Sequence, residues 1–167
     1  SPADAESLTR DIARNLMRAR EKTGREFVVV SRSDSTLRGH YPAEVQTLID
    51  ALGSKVDGTL IIPFFQEGGR LTANNIHYVT EGDRLIPAAE TEYADDATFG
   101  YAHSNLRAWV AEKHRGELSP SDVARVPLRL IREGGPHAVA DVLRTLSGRQ
   151  VCVVNAVSYR DLEVFVA

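Results

Sequence analysis

A chain of 167 residues fits one domain and buries about 70% of the surface it exposes when unfolded, enough for a core that needs no staples. A net charge of −3 excludes a broad electrostatic footprint for nucleic acid. No apolar run reaches membrane-spanning length, and a single cysteine, Cys152, excludes an internal disulfide and fits a reducing compartment.

Residues 2–23 read as a helix. Ser1 and Pro2 suit its N-cap and first turn, Ala5, Leu8, Ile12 and Leu16 recur at helical spacing, and Gly24 suits its end. This polar start is unlike a secretory signal, and the expected setting is the cytoplasm. Phe27 to Val30 is apolar on both faces, as a central parallel strand requires. Pro42 to Leu52 predicts a helix with Val45, Leu48, Ile49 and Leu52 on one face, closed by Gly53; "GTLIIPFF" predicts the next strand. Strand, helix and strand make a parallel βαβ unit.

The rhythm then changes. "IHYV", "EGD" and "RLIPA" predict a β-hairpin. Residues 104–115 predict a helix with Leu106, Trp109, Val110 and Lys113 on one face and Gly116 after it. "VARVPLRLI" predicts a strand, "GPHAVADVLRTLSG" a helix, "QVCVVNA" a further strand, and "YRDLEVFVA" a last helix. The expected fold is α/β, an open, mostly parallel sheet with helices on both faces, Rossmann-like, carrying an inserted β-hairpin.

Two loops are unusually polar. Residues 31–39, "SRSDSTLRG", follow the first expected strand, and residues 66–72, "QEGGRLT", follow the second. Ligands of open α/β sheets bind beyond the carboxyl ends of the strands. If the two strands are neighbours, Arg38 and Arg70 converge on one site, each able to grip a carboxylate or phosphate with two prongs. Asp34, Ser35 and Thr36 are suited to reading hydroxyls. Gly39, Gly68 and Gly69 permit close backbone approach. The implied ligand is a small anion rich in hydroxyls. A competing reading makes the first loop an Asp/Ser/Thr turn with capping duties and "EGGR" a flexible turn carrying a solvated arginine.

Other machinery is missing. The chain has neither a Walker-type phosphate loop nor a dinucleotide glycine fingerprint, and no nucleophile elbow. Its histidines lack metal-ligand spacing, so no metal site is expected. Asp95-Asp96 reads as an exposed acidic turn rather than a Mg²⁺ site.

The stretches "SRSDSTLRGHYPAE", "PFFQEGGRLTANNIHYV", "TEYADDATFGYAHSNLRAWVAEKHRG" and "VVNAVSYRDLEVF" together resemble the four-carbon acid sugar kinase family, some of whose members have been labelled type III effector proteins. The resemblance implies a two-domain enzyme. An N-terminal domain holds the acid sugar, a C-terminal domain holds ATP with Mg²⁺, and a terminal hydroxyl of threonate, erythronate or a 3-oxo relative is phosphorylated. On this reading residues 1–167 are most of the N-terminal domain, lacking the family's first strand and the nucleotide domain, and are inactive alone. Asp34, Ser35, Thr36, Arg38 and Gly39 fall on the family's acid-sugar loop. Gly68, Gly69, Arg70 and Thr72 fall on its second element, and Asp96 on the aspartate after the hairpin. Arg32 stands where many members have lysine. Arg38 is then the carboxylate clamp and Asp34 a conceivable base, although the base fits better in the missing N-terminal motif. No nucleic-acid or membrane partner is implied, and a homodimer is left open.

Three rivals stand beside this reading. They are a non-catalytic small-anion-binding or effector module, a nicotinamide-dependent oxidoreductase, and a purely structural interaction domain.

Overall fold

The computed structural model describes residues 1–53 and 55–167, which gather into two compact units. The first comprises Ser1–Asp34 with Arg38–Lys55, and the second Ser35–Leu37 with Val56–Ala167.

The first unit is built on two helices, α1 (Pro2–Thr23) and α2 (Ala43–Leu52). The Ser1 hydroxyl accepts from the Asp4 backbone N–H while the Asp4 carboxylate reaches back to Ser1, a reciprocal cap that satisfies orphan donors of the first turn. At the other end Gly24 turns left-handed at φ 66° and its N–H donates to the Arg20 carbonyl. Helix α2 starts after Pro42 rather than on it and closes at Gly53, φ 60°. Phe27 to Val30 does not form the expected strand. No ladder among the described residues includes it, and Val28 and Val30 are 91% and 79% exposed. An apolar run signals a tendency to be covered, but a strand exists only through a neighbour's hydrogen bonds. The expected βαβ unit through α2 is therefore not formed by this segment.

The second unit carries the sheets. β1 (Gly58–Ile61), β5 (Ala124–Val126) and β6 (Gln150–Val154) form a parallel sheet in the order β1-β6-β5. Central β6 explains its own composition: Val151, Cys152, Val153 and Val154 are all buried, with Cys152 paired to Leu60 on one side and Ala124 on the other. Burial pushes the Cys152 thiol up to about 11, so it is a packing residue. Helices α4 (Gly135–Arg144) and α5 (Tyr159–Val166) cover the sheet. Val126, Ile131, Val139, Leu146, Cys152 and Val154 make the core, flanked by Val142, Val164 and Phe165. The strand expected over "VARVPLRLI" stops at Val126, because Pro127 has no N–H for a ladder. A wide helical turn, Leu130–Gly134, follows instead.

A separate antiparallel sheet holds β2 (Arg70–Ala73), β3 (Ile76–Glu81) and β4 (Arg84–Pro87). The expected hairpin is β3–β4, and β2, within the stretch expected to be a polar loop, is a third strand. Asn74 and Asn75 turn β2 into β3 at φ 52° and 65°, conformations that asparagine tolerates better than most residues. Parallel sheet, helices and hairpin sheet make the architecture α/β.

The hairpin sheet is fastened to the carboxyl edge of the parallel sheet by polar bonds. The Thr72 N–H donates to the Ala156 carbonyl at 2.8 Å. Asn155, fully buried just past β6, accepts from the Asn75 N–H at 2.7 Å and donates to Asn75 Oδ1 and to the Val126 carbonyl. Helix α3 (Leu106–Lys113) is capped by the Asn105 side chain and donates the Leu106 N–H to the Asn75 carbonyl at 2.7 Å. Trp109 is buried, as its helical spacing implies.

Candidate functional site

The loop after β1 leads straight into β2 and aims Arg70. Phe65 and Arg70 exchange backbone hydrogen bonds of 3.0 and 2.8 Å, and Gly69 N–H donates to the Gln66 carbonyl, so residues 66–69 form a tight turn. Gly69 sits at φ 67°, where a Cβ would meet Thr80 Cβ at 2.8 Å; a Cβ on Gly68 would meet the Phe65 ring at 2.5 Å. Both glycines are therefore demanded by the protein's own packing, beyond any approach of a ligand.

The Arg70 guanidinium is half-buried and held on three sides by neutral groups. Nε donates to Thr36 Oγ1 at 2.8 Å, Nη1 donates to the Gly68 carbonyl, and the Tyr93 ring lies beneath at 4.8 Å. Among the described residues no carboxylate pairs with it. Nη2 carries no bond there. A partly desolvated cation with no internal counter-charge attracts an external anion.

Its partner Thr36 is itself unusual. Thr36 and Leu37 lie at φ 57° and 64°, a left-handed pair without glycine, and each such residue costs about 1–2 kcal/mol. Both are buried. The Tyr101 hydroxyl, also buried, donates to the Thr36 carbonyl at 3.0 Å. Backbone conformations of this kind persist where the surroundings enforce them, and they cluster at functional sites.

Beneath Arg70 on the same face of the hairpin sheet, Thr72 pairs with His77 in register. Both are fully buried, with Thr72 Oγ1 3.1 Å from His77 Nδ1. Among the described residues His77 Nε2 has no hydrogen-bond partner. Burial, reinforced by the Arg70 charge, lowers the His77 pKa to about 4, so the ring is neutral under ordinary conditions. Thr72 supports the site from below and presents no surface to a ligand.

The other residues singled out by sequence lie in the first unit, Ser35 excepted. Arg38 pairs with Asp34 at 3.1 Å, with Asp34 more than half exposed. Gly39 stands at φ 130°, where a Cβ would strike Ser33 Cβ at 2.5 Å. Arg32 and Ser35 are exposed. Arg38 thus belongs to one unit and Arg70 to the other. The structure gathers Thr36, Gly68, Gly69, Arg70 and Thr72 within the second.

Three groups escaped the sequence reading. Tyr93 is the ring under Arg70. Tyr101 holds Thr36, although only its presence after the hairpin hinted at a role. Tyr159, at the start of α5, donates its hydroxyl to the Glu67 carboxylate at 2.6–2.7 Å and crosses the Phe64 ring edge-on at 5.4 Å, fixing the residue 66–69 turn. Asp96 takes the modest reading: Oδ1 accepts from the N–H groups of Thr98 and Phe99 and shapes a turn. Among the described residues no three His, Cys, Asp or Glu side chains gather to hold a metal, and no helix is long and apolar enough to cross a membrane.

The chain matches, over residues 1–167, the family model described as a sugar-binding N-terminal domain. It is 28% identical over 134 residues to a D-erythronate kinase of Heliobacterium modesticaldum, covering 79% of this chain and 28% of that protein. A solved Haemophilus influenzae protein shares the fold with TM-score 0.64 and 21% identity, covering 91% of this chain and 35% of that one. So does a Bordetella bronchiseptica domain of unknown function, solved with bound citrate as a domain-swapped dimer, with TM-score 0.59 and 23% identity. That match covers 98% of this chain and 35% of the other. The chain therefore spans about a third or less of the proteins it matches.

Proposed function

The chain belongs to the family of sugar-binding N-terminal domains found in the four-carbon acid sugar kinases, and from that premise we propose that it binds a small acid sugar through Arg70. The observation that carries this reading is the half-buried guanidinium with neutral partners on three sides. An anionic polyol supplies the missing negative charge, and the polar loops supply donors and acceptors for its hydroxyls. Thr36 serves by orienting Arg70, since its hydroxyl is already the acceptor for Nε. Arg38 is proposed as a carboxylate clamp, with Arg32, Asp34, Ser35 and Gly39 as further acid-sugar contacts.

The finer part of the proposal is the reaction: transfer of phosphate from ATP to the terminal hydroxyl of a threonate, erythronate or 3-oxo-tetronate substrate in the whole enzyme. The sequence has no phosphate loop, and among the described residues no His, Cys, Asp or Glu cluster gathers to hold a metal. On the likeness to the family, ATP and its metal are assigned to the remainder of the enzyme. In such transfers the protein contributes mainly position and charge, and this chain's share is to hold the acceptor sugar still. A cytoplasmic location fits that chemistry.

The test is direct. In the full-length protein Arg70→Ala weakens D-erythronate or threonate binding, measured by calorimetry, at least tenfold, the worth of one lost charge-assisted contact. Wild-type binding of these acids with unchanged affinity in Arg70→Ala removes Arg70 from the site. A protein that binds an acid sugar yet never turns over ATP supports the non-catalytic anion-binding reading instead.

A further inference from the structure

The segment Thr91–Tyr101 approaches Arg70 and Thr36 from two sides, and nothing in the anion-binding reading requires that. Its own fold is tightly specified. The Asp96 side chain closes one turn, and Gly100 N–H donates to the Asp96 carbonyl while Tyr101 N–H donates to Ala94. A Cβ on Gly100 would strike the Asp96 and Ala94 carbonyl oxygens at 2.7 and 2.8 Å. Lys113 of α3 donates to the carbonyls of Phe99 and Gly100, anchoring the end of the segment to a helix. The segment is a rigid bracket that presents two phenol rings.

We propose that Tyr101 and Tyr93 are positioning residues of the acid-sugar site, the first fixing the Thr36 peptide and the second the plane of the Arg70 guanidinium, so that Nη2 is directed at the ligand's anionic group. This rests on the reading of Arg70 as the anion contact. The Tyr101 hydroxyl has one proton, and its shorter bond, 3.0 Å against 3.4 Å to Ala88, goes to the Thr36 carbonyl. That bond holds a left-handed peptide which would otherwise relax, and relaxation would swing Oγ1 away from Nε. The Tyr93 ring closes one face of the guanidinium, leaving rotation about the last side-chain bonds no room on that side. With Nε and Nη1 already engaged, the arginine meets its ligand without first being ordered, and the entropic cost of ordering a long side chain is removed from binding.

The experiment uses the full-length protein and calorimetric titration with D-erythronate and threonate, alongside steady-state kinetics in ATP. Tyr101→Phe, which deletes one oxygen from the ring, is expected to weaken acid-sugar binding about tenfold and leave the KM for ATP unchanged. Tyr93→Leu is expected to weaken it about three- to tenfold, and Tyr93→Phe, which keeps the ring face, to restore it. A general loss of structure would move both substrates together and would not distinguish Phe from Leu. Acid-sugar affinity unchanged in both Tyr101→Phe and Tyr93→Leu, or a rise in the ATP KM matching that for the sugar, overturns the inference. Arg70→Ala separates the two levels. If it abolishes binding while the tyrosine variants do not, only the positioning role fails; if it too is silent, or the wild type binds neither acid, the anion-contact reading fails and this inference with it.

Discussion

Asn155→Ala tests whether the hairpin sheet is fastened to the parallel sheet by the polar bonds described above. The side chain is fully buried and makes three bonds: to the Asn75 N–H at 2.7 Å, to Asn75 Oδ1 at 3.1 Å and to the Val126 carbonyl at 3.0 Å. Val126 keeps a partner, because the Asn155 backbone N–H also reaches it. Asn75 does not: its N–H loses its acceptor and its Oδ1 loses a donor, in a residue only 7% exposed. Each of the two orphaned groups costs about 1–3 kcal/mol, so the variant is expected to lose about 2–6 kcal/mol. For a chain of this size that is a fall of about 4–24 °C in melting temperature. Urea unfolding followed by Trp109, the single tryptophan and buried in the same unit, reads the change. The midpoint should fall with the slope preserved. A loss below about 1 kcal/mol refutes the claim that these bonds join the sheets.

Two further outcomes follow from the same geometry. The folded chain resists protonating His77 until about pH 4, whereas an unfolded histidine takes its proton near 6.5. Its contribution to stability is therefore complete above about pH 6.5 and is lost as pH falls toward 4, by about 3 kcal/mol in all. His77→Gln should flatten that part of the urea-stability profile relative to wild type, and parallel profiles would contradict the burial argument. Gly69→Ala forces a Cβ onto φ 67° and against Thr80 at 2.8 Å; a loss of about 2–4 kcal/mol in the same unfolding assay is expected. A variant within about 0.5 kcal/mol of wild type would show that the turn has slack.

Local signals were legible where a residue's own chemistry decides the structure. Ser1 and Gly24 bracket α1, Gly53 ends α2, and "EGD" between apolar runs marks β3–β4. Phe27 to Val30 was misread because apolarity does not name a partner, and "VARVPLRLI" because Pro127 outranks its neighbours. The candidate site was half visible. The turn glycines and Arg70 were visible because such residue types have few bland explanations. Tyr93 and Tyr101 were not, because a tyrosine in a polar loop looks the same whether its hydroxyl meets water or a carbonyl 65 positions away. Contacts of that separation are products of the fold and leave no local mark.

The handedness of Thr36 and Leu37 sets a limit on how this protein can be improved. Glycine at either position would ease the backbone, and a screen for thermostability would reward it at position 36. The same exchange deletes the oxygen that Arg70 donates to, and at 37 it empties a buried side-chain site. Selection for robustness and selection for ligand capture thus pull position 36 in opposite directions, and natural chains should keep the tenser choice wherever the guanidinium has work to do.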